Sequence, residues 1–262
     1  MSEIETIMRK VARDILPVSA RRFSYQQIGK ETGQNMLGYN VDKKPFIGKV
    51  VFMNEVYLVL KDPKKAIFAY SFINELDNLD FEVGDTVCLT PYARRRHDGT
   101  FLYQPSRAEP NILIVGDTKS YIPVDKTGFR SSYLAELVTQ LEGVKTSDKR
   151  RTAYQVVLDN GGINQEVRLV DPSDTDCVET PPSVIFTLTA NNEVHYLVVR
   201  YLRGEDAYTV HLENKDGICF SENGYVLFPD LADTMVAALG ENEGFGLVRT
   251  HVVSKVKKTK TA

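Results

Sequence analysis

The feature that most constrains this chain is a pair of regions built from short runs rich in Val, Ile, Phe and Tyr and cut by turn residues. In the first, FIGKVVFMNEVYLVL (46–60), KKAIFAYSF (64–72) and DTVCLTPY (85–92) are separated at Lys61-Asp62-Pro63 and Val83-Gly84-Asp85. Runs of this length and composition predict strands, and their close spacing predicts a small antiparallel β-barrel, with Thr100–Tyr103 and Asn111–Val115 to complete it. From 163 onward the two-residue period returns in QEVRLVDP, PPSVIFTLTA, EVHYLVVRYL, DAYTVHLEN and GICFSENGYVLF. Turns are expected at Asp171-Pro172, Ala190-Asn191-Asn192, Arg203-Gly204-Glu205, Lys215-Asp216-Gly217 and Glu222-Asn223-Gly224. These runs predict an antiparallel meander in which Ala207, Thr209 and His211 face one way and Tyr208, Val210 and Leu212 the other.

Helical periodicity appears elsewhere. Ile4, Ile7, Met8, Val11, Ile15 and Leu16 recur at helical spacing until Pro17, predicting a helix over about residues 3–16. Residues 18–45, polar and punctuated by glycine, read as a connector. Tyr133, Leu134, Leu137, Val138 and Leu141 predict a second helix with Ser131 or Ser132 as N-cap. SDKRRTAYQVVLDNGG predicts a third, with Ser147 or Asp148 as N-cap and Gly161 near its end, so that the two form a helical hairpin. A helix at Asp230–Leu239 and a strand at Gly246–Val253 follow. The expected class is α+β: an N-terminal helix and connector (1–44), a small antiparallel β-barrel (45–125), a helical hairpin plus antiparallel sheet with one helix (126–254) and a basic tail (255–262) carrying Lys255, Lys257, Lys258 and Lys260.

Composition narrows the function. The 262 residues are 42% hydrophobic and 26% charged, with a net charge of -3, which suits a globular chain with real cores. No apolar run approaches the roughly 20 residues of a membrane span, and the N-terminus has no continuous apolar segment of the signal-peptide kind. Cys88, Cys177 and Cys219 form no CxxC pair, which argues against a disulfide framework or a zinc site and suits a reducing cytoplasm. A slightly acidic chain is no bulk polyanion binder, so any nucleic-acid affinity must come from local patches.

Catalytic signatures are weak. NILIVGDTKS (111–120) has the strand, glycine and Lys119-Ser120 order of a phosphate-binding loop, but it lacks the second glycine and the following helix that such a loop needs. His97, His195, His211 and His251 lie far apart. His195 and His211 fall in neighbouring strands, within reach of each other across the sheet, yet spacing gives neither a thiol or carboxylate partner, and the histidines read as polar-face or satisfied sheet residues. Asp171, Asp174, Asp176 and Glu179 lack the spacing of a calcium loop and read as a solvated acidic loop. No catalytic residue, metal or cofactor is therefore assigned.

The strongest lead is TPYARRRHDG (90–99), which follows a predicted strand and carries an aromatic, three consecutive arginines and a histidine. Small β-barrels hold single-stranded nucleic acid by stacking bases on exposed rings while guanidinium groups track phosphates. On that reading the binding residues are Tyr92, Arg94, Arg95, Arg96, His97, Tyr103 and Arg107, with Lys149, Arg150 and Arg151 as a second positive cluster. Two other readings stay open: a protein-contact surface, where arginine is also enriched, or solvated arginines paired with Asp98 and Glu109.

Ile47-Gly48-Lys49-Val50-Val51, Leu58-Val59-Leu60, Leu76 and the closing Val83-Gly84-Asp85-Thr86-Val87 resemble the KfrB-type domain of plasmid-borne proteins, which is also fused to conjugative relaxases. The wider chain, with TPYARRRHDGT, DKRRTAYQVVLDNGG and TPPSVIF, is similar to uncharacterised proteins of conjugative plasmids and integrative elements, some of which carry a GTPase label. The resemblance implies a mobile-element setting. The expected function is thus a non-enzymatic accessory protein that binds nucleic acid or a nucleoprotein partner of a conjugation system, with no membrane partner. The alternatives are a protein-interaction module that regulates conjugation or counters host defence, and a GTP hydrolase. The oligomeric state is left open by the sequence.

Overall fold

A computed structural model describes residues 2–18, 22–30, 33–34, 40–104, 119–190, 193–240 and 246–256. The chain divides into two compact units, residues 1–93 with 244–262, and residues 94–243. The class is α+β, with four α-helices and two main sheets among the described residues.

In the first unit, helix α1 (Glu3–Ile15) is capped by the Ser2 hydroxyl, which accepts from the Glu5 N–H. Strands β1 (Ser24–Gln27), β4 (Phe46–Met53), β5 (Tyr57–Lys61), β6 (Ile67–Phe72), β7 (Thr86–Thr90) and β13 (Arg249–Ser254) form one sheet in the order β1-β6-β5-β4-β7-β13. Two short strands, β2 (Gly33–Gln34) and β3 (Asn40–Val41), pair separately. The expected barrel is not found: among the described residues the sheet ends at β1 and β13, which are not hydrogen-bonded to each other. One edge is taken by β1, parallel to β6, from the stretch read as a connector. The other is taken by β13, read in sequence with the C-terminal sheet, which pairs antiparallel to β7. Thr100–Tyr103 does not join this sheet, and Asn111–Val115, Lys257, Lys258 and Lys260 lie outside the described residues.

The run 46–60 is two strands joined at Asn54, whose side-chain oxygen accepts from the Val56 and Tyr57 N–H groups at 3.0 and 2.7 Å. Strand β5 reads as an unbroken apolar run because it is buried on both faces. Leu58 and Leu60 pack with Phe46, Val50, Ala69, Val87 and Leu89 on one face, while Val59 and Phe68 pack on the other against Met8, Val11 and Ala12 of α1.

In the second unit, strands β8 (Val167–Val170), β9 (Ser183–Ala190), β10 (Glu193–Leu202), β11 (Ala207–Asn214) and β12 (Cys219–Val226) form the expected antiparallel sheet in the order β12-β11-β10-β9-β8. Phe186, Leu188, Leu197, Val199, Tyr208, Val210 and Leu212 share a core with helices α2 (Ser132–Gly143), α3 (Ala153–Val157) and α4 (Leu231–Ala238). The alternation read in DAYTVHL holds, since Tyr208, Val210 and Leu212 are the core-facing set.

Three details depart from sequence expectation, the first being that Glu222-Asn223-Gly224, expected as a turn, lies within strand β12. Helix α3 is only five residues long and begins later, capped by the Thr152 hydroxyl, which accepts from the Gln155 N–H. The acidic loop is not merely solvated: Asp171 accepts from the N–H groups of Arg130 and Ser131 at 2.8 and 3.0 Å, and Asp174 from the N–H and hydroxyl of Ser132 at 2.8 and 2.9 Å. These carboxylates satisfy the orphan donors at the start of α2 and oppose its dipole. The Ser132 hydrogen bonds hold the Asp174 carboxyl below its usual range.

After α3 the chain makes a π-turn over Leu158–Gly162 in which Gly161 has φ +96°, and a side-chain carbon there would meet the Thr189 carbonyl oxygen at 2.4 Å. Left-handed backbone costs an L-residue roughly 1–2 kcal/mol, and the collision with main chain adds to it. Gly161→Ala is therefore expected to lower unfolding stability by at least about 2 kcal/mol. Urea unfolding followed by circular dichroism checks this; a change under about 0.5 kcal/mol would contradict the geometry.

Candidate nucleic-acid interface

The division between the units falls inside the arginine-rich segment. Tyr92 belongs to the first unit, and Arg94, Arg95, Arg96 and His97 open the second. Arg94–Leu102 is a small hairpin held by an antiparallel bridge between Arg95 and Phe101. The Leu102 N–H donates to the Arg94 carbonyl at 2.9 Å and the Arg96 N–H to the Thr100 carbonyl at 2.7 Å. Asp98-Gly99 makes the turn: Asp98 accepts from the Thr100 N–H and hydroxyl at 2.9 and 2.6 Å, and Gly99 has φ +81°.

The hairpin is fastened to α3 through one fully buried side chain. Gln155 Oε1 accepts from the Arg95 N–H at 3.0 Å, and its Nε2 donates to the Arg95 carbonyl at 2.6 Å and to the Ser120 hydroxyl. The Ser120 hydroxyl donates in turn to the Arg95 carbonyl. Ser120 is thus engaged in packing, while Lys119 beside it is exposed. One residue before Gln155, the buried Tyr154 places its hydroxyl 2.8 Å from His97 Nδ1. Burial pushes the His97 imidazole below its ordinary value, with Asp98 pulling weakly the other way. Burial also raises the Tyr154 phenol.

The three arginines have different environments. Arg96 folds back on its own turn, donating to the Thr100 hydroxyl at 3.2 Å and to the carbonyls of Phe101 and Gln104 at 2.8 and 2.9 Å. Arg95 lays its guanidinium over the Phe101 ring, 4.8 Å from the centroid. Phe101 stacks on Tyr103 with centroids 5.1 Å apart and planes inclined by 7°. A guanidinium and two parallel rings therefore form one half-buried stack. Arg94 is half-buried. In the second cluster Lys149 is exposed, but Arg151 is buried, with a guanidinium nitrogen 3.5 Å from Asp159, and serves the core rather than the surface. Arg150 is half-buried, and Arg107 lies outside the described residues.

Sequence reasoning missed Phe101, Gln155 and Tyr154. Only Phe101 left a signal, and an incomplete one: Asp98-Gly99 marks a turn before it, but a two-residue Asp-Gly loop would set Phe101 opposite Arg96, whereas the three-residue loop His97-Asp98-Gly99 sets it opposite Arg95. His195 and His211 do not meet across the sheet: His195 pairs with Asn214 and His211 with Val198, which puts them on opposite faces. Near His211 the structure instead gathers Cys219 and Glu222, which spacing had not placed. Among the described residues no helix is long and apolar enough to cross a membrane. No protein-family model, curated protein or solved structure matches this chain.

Two outcomes test the hairpin. Gln155→Leu strands the Arg95 N–H in the interior and leaves its carbonyl only the Ser120 hydroxyl, at a cost of about 1–3 kcal/mol, and amide exchange at Arg95 and Leu102 should quicken relative to the sheet core; unchanged exchange would remove Gln155 from its anchoring role. Because the folded state disfavours charged His97, the unfolded state binds more protons below the unfolded value of about 6.5. Stability conferred by neutral His97 is thus present above that value and lost as the pH falls through it, so His97→Asn should show a shallower acid loss than the parent between pH about 7 and about 5.

Proposed function

We propose that the protein binds single-stranded nucleic acid through the Arg95–Phe101–Tyr103 stack, as an accessory factor of a mobile genetic element, the setting that the KfrB-type resemblance implies. The observation that carries this reading is the stack: two parallel, stacked rings beside a guanidinium, on a hairpin fixed at its base by Gln155. A base continues a ring stack whatever its identity, and a guanidinium alongside supplies both cation–π contact and charge for the backbone. Arg94 and Lys149 add positive charge within the same unit. Arg96 and Arg151 have no binding role in this reading, because they hold the hairpin and the core. An acidic protein partner is the alternative, which the same cations would serve without the rings.

Fluorescence anisotropy with a labelled single-stranded oligonucleotide and its duplex, over a salt series, separates the two. Binding should favour the single strand and weaken linearly in log K against log salt. Phe101→Ala or Tyr103→Ala should each weaken it by roughly 5- to 150-fold, the equivalent of about 1–3 kcal/mol per stacked base. Arg95→Ala should also reduce the salt slope by about one. The absence of salt-sensitive binding at low ionic strength, or full affinity in Phe101→Ala, would retire the proposal.

A further inference from the structure

On the face of the second sheet opposite the helix-covered core, three side chains of different chemistry converge. His211 on β11 and Cys219 and Glu222 on β12 each offer a ligand atom, and these atoms all lie within 4.8 Å of one another. We infer that His211, Cys219 and Glu222 form a binding site for a divalent cation of the zinc class.

The backbone explains how the three meet. In a regular strand, residues three apart point to opposite faces. Here the pairing of β11 with β12 shifts between Leu212 opposite Ser221 and Glu213 opposite Cys219, which inserts one extra residue on β12. That bulge reverses the alternation. Cys219, opposite Glu213, then shares a face with Glu222, which is opposite His211. A bulge that re-aims one side chain onto the face of two others is a device found beside functional sites.

The ligand atoms are suitably disposed. His211 Nδ1 lies 3.6 Å from a Glu222 oxygen. Bonds of about 2.0–2.3 Å at tetrahedral angles separate neighbouring ligand atoms by about 3.3–3.6 Å, so a cation fits between these two with little movement. His211 Nε2 is 2.9 Å from the Thr209 hydroxyl. With Nε2–H donated there, the free lone pair sits on Nδ1 and faces the other ligands, the outer-shell arrangement usual for metal-binding histidines. His211 is buried at 7% exposure, whereas Cys219 and Glu222 are exposed. Burial and the Arg200 guanidinium hold the imidazole below its ordinary value, while Glu222 and Glu213 act in the opposite direction. The neutral ring is the form that coordinates.

The donor set selects the metal. A thiolate, an imidazole and a carboxylate favour zinc or cobalt over magnesium or calcium, which prefer oxygen alone. Thiolate and carboxylate together neutralise the dication. Binding releases the Cys219 proton to solvent and leaves a fourth position open to water.

Titration of the metal-free, untagged full chain with Co²⁺ tests this. A thiolate-to-cobalt charge-transfer band in the near ultraviolet, with visible bands of tetrahedral intensity saturating at one equivalent and displaced by Zn²⁺ but not by excess Mg²⁺ or Ca²⁺, is the expected result. Cys219→Ser should abolish the charge-transfer band, and Cys88→Ser should leave it intact. Thr209→Val should retain the band but weaken affinity about 10- to 100-fold, as loss of an outer-shell partner does. His211→Gln risks unfolding because the residue is buried, so Glu222→Gln, at an exposed position, supplies a second ligand variant expected to lower affinity at least about tenfold. Absence of the band in the parent, or its persistence in Cys219→Ser, would overturn the inference.

Discussion

The arrangement of the second unit's surface depends on one buried amide. Gln155 addresses the peptide of Arg95 with both ends of its side chain, accepting from the N–H and donating to the carbonyl. This is the pattern a neighbouring strand would offer, supplied by a helix that is only five residues long. A fully buried glutamine is tolerable because its polar atoms find partners there, and leaving them unmade would cost more than the bonds contribute. With Arg95 fixed, the bridge to Phe101 fixes the opposite limb of the hairpin, and the stack of Phe101 on Tyr103 follows.

The same economy of short-range fastening recurs around α2 and α3. The first turn of α2 receives two carboxylates from a loop some forty residues further along the chain. At its other end the buried Glu142 accepts from the Ile122 N–H at 2.8 Å and from the Lys126 ammonium at 2.6 Å. Charged and amide side chains in this unit mainly satisfy backbone groups that helices and turns leave open. Acidic and basic runs in the sequence therefore say little about surface potential until their backbone partners are known.

Periodic, cooperative features were the legible ones. The helix of Glu3–Ile15, the α2 stripe with its Ser131 cap and the five-strand meander all repeat one rule over many residues. Features decided by a single distant partner were not legible. Nothing local to Ser24–Gln27 signals that it adds in parallel to β6, and nothing in Gly246–Val253 signals that it pairs with β7 rather than with the nearer sheet. The barrel failed as an expectation for that reason: closure requires a specific edge pairing, and propensity carries no information about which edges meet. Gln155 was invisible because a glutamine within a helical pattern reads as solvent-facing.

The arginine run shows why residue type alone misleads. Consecutive residues in a strand or hairpin limb point to alternate sides, so three adjacent arginines cannot all serve one surface. Arg95 takes the side of Phe101, and Arg96 turns back over the turn carbonyls. Around His211 the same alternation is broken by a bulge, and there residues at a spacing that should separate them are brought together. In both places the chemistry is set by which face a side chain is given, and that choice rests on one backbone pairing rather than on composition. A cluster of like residues in a β-region is therefore best counted as half a site, and a mixed pair three residues apart becomes a candidate once a bulge lies between them.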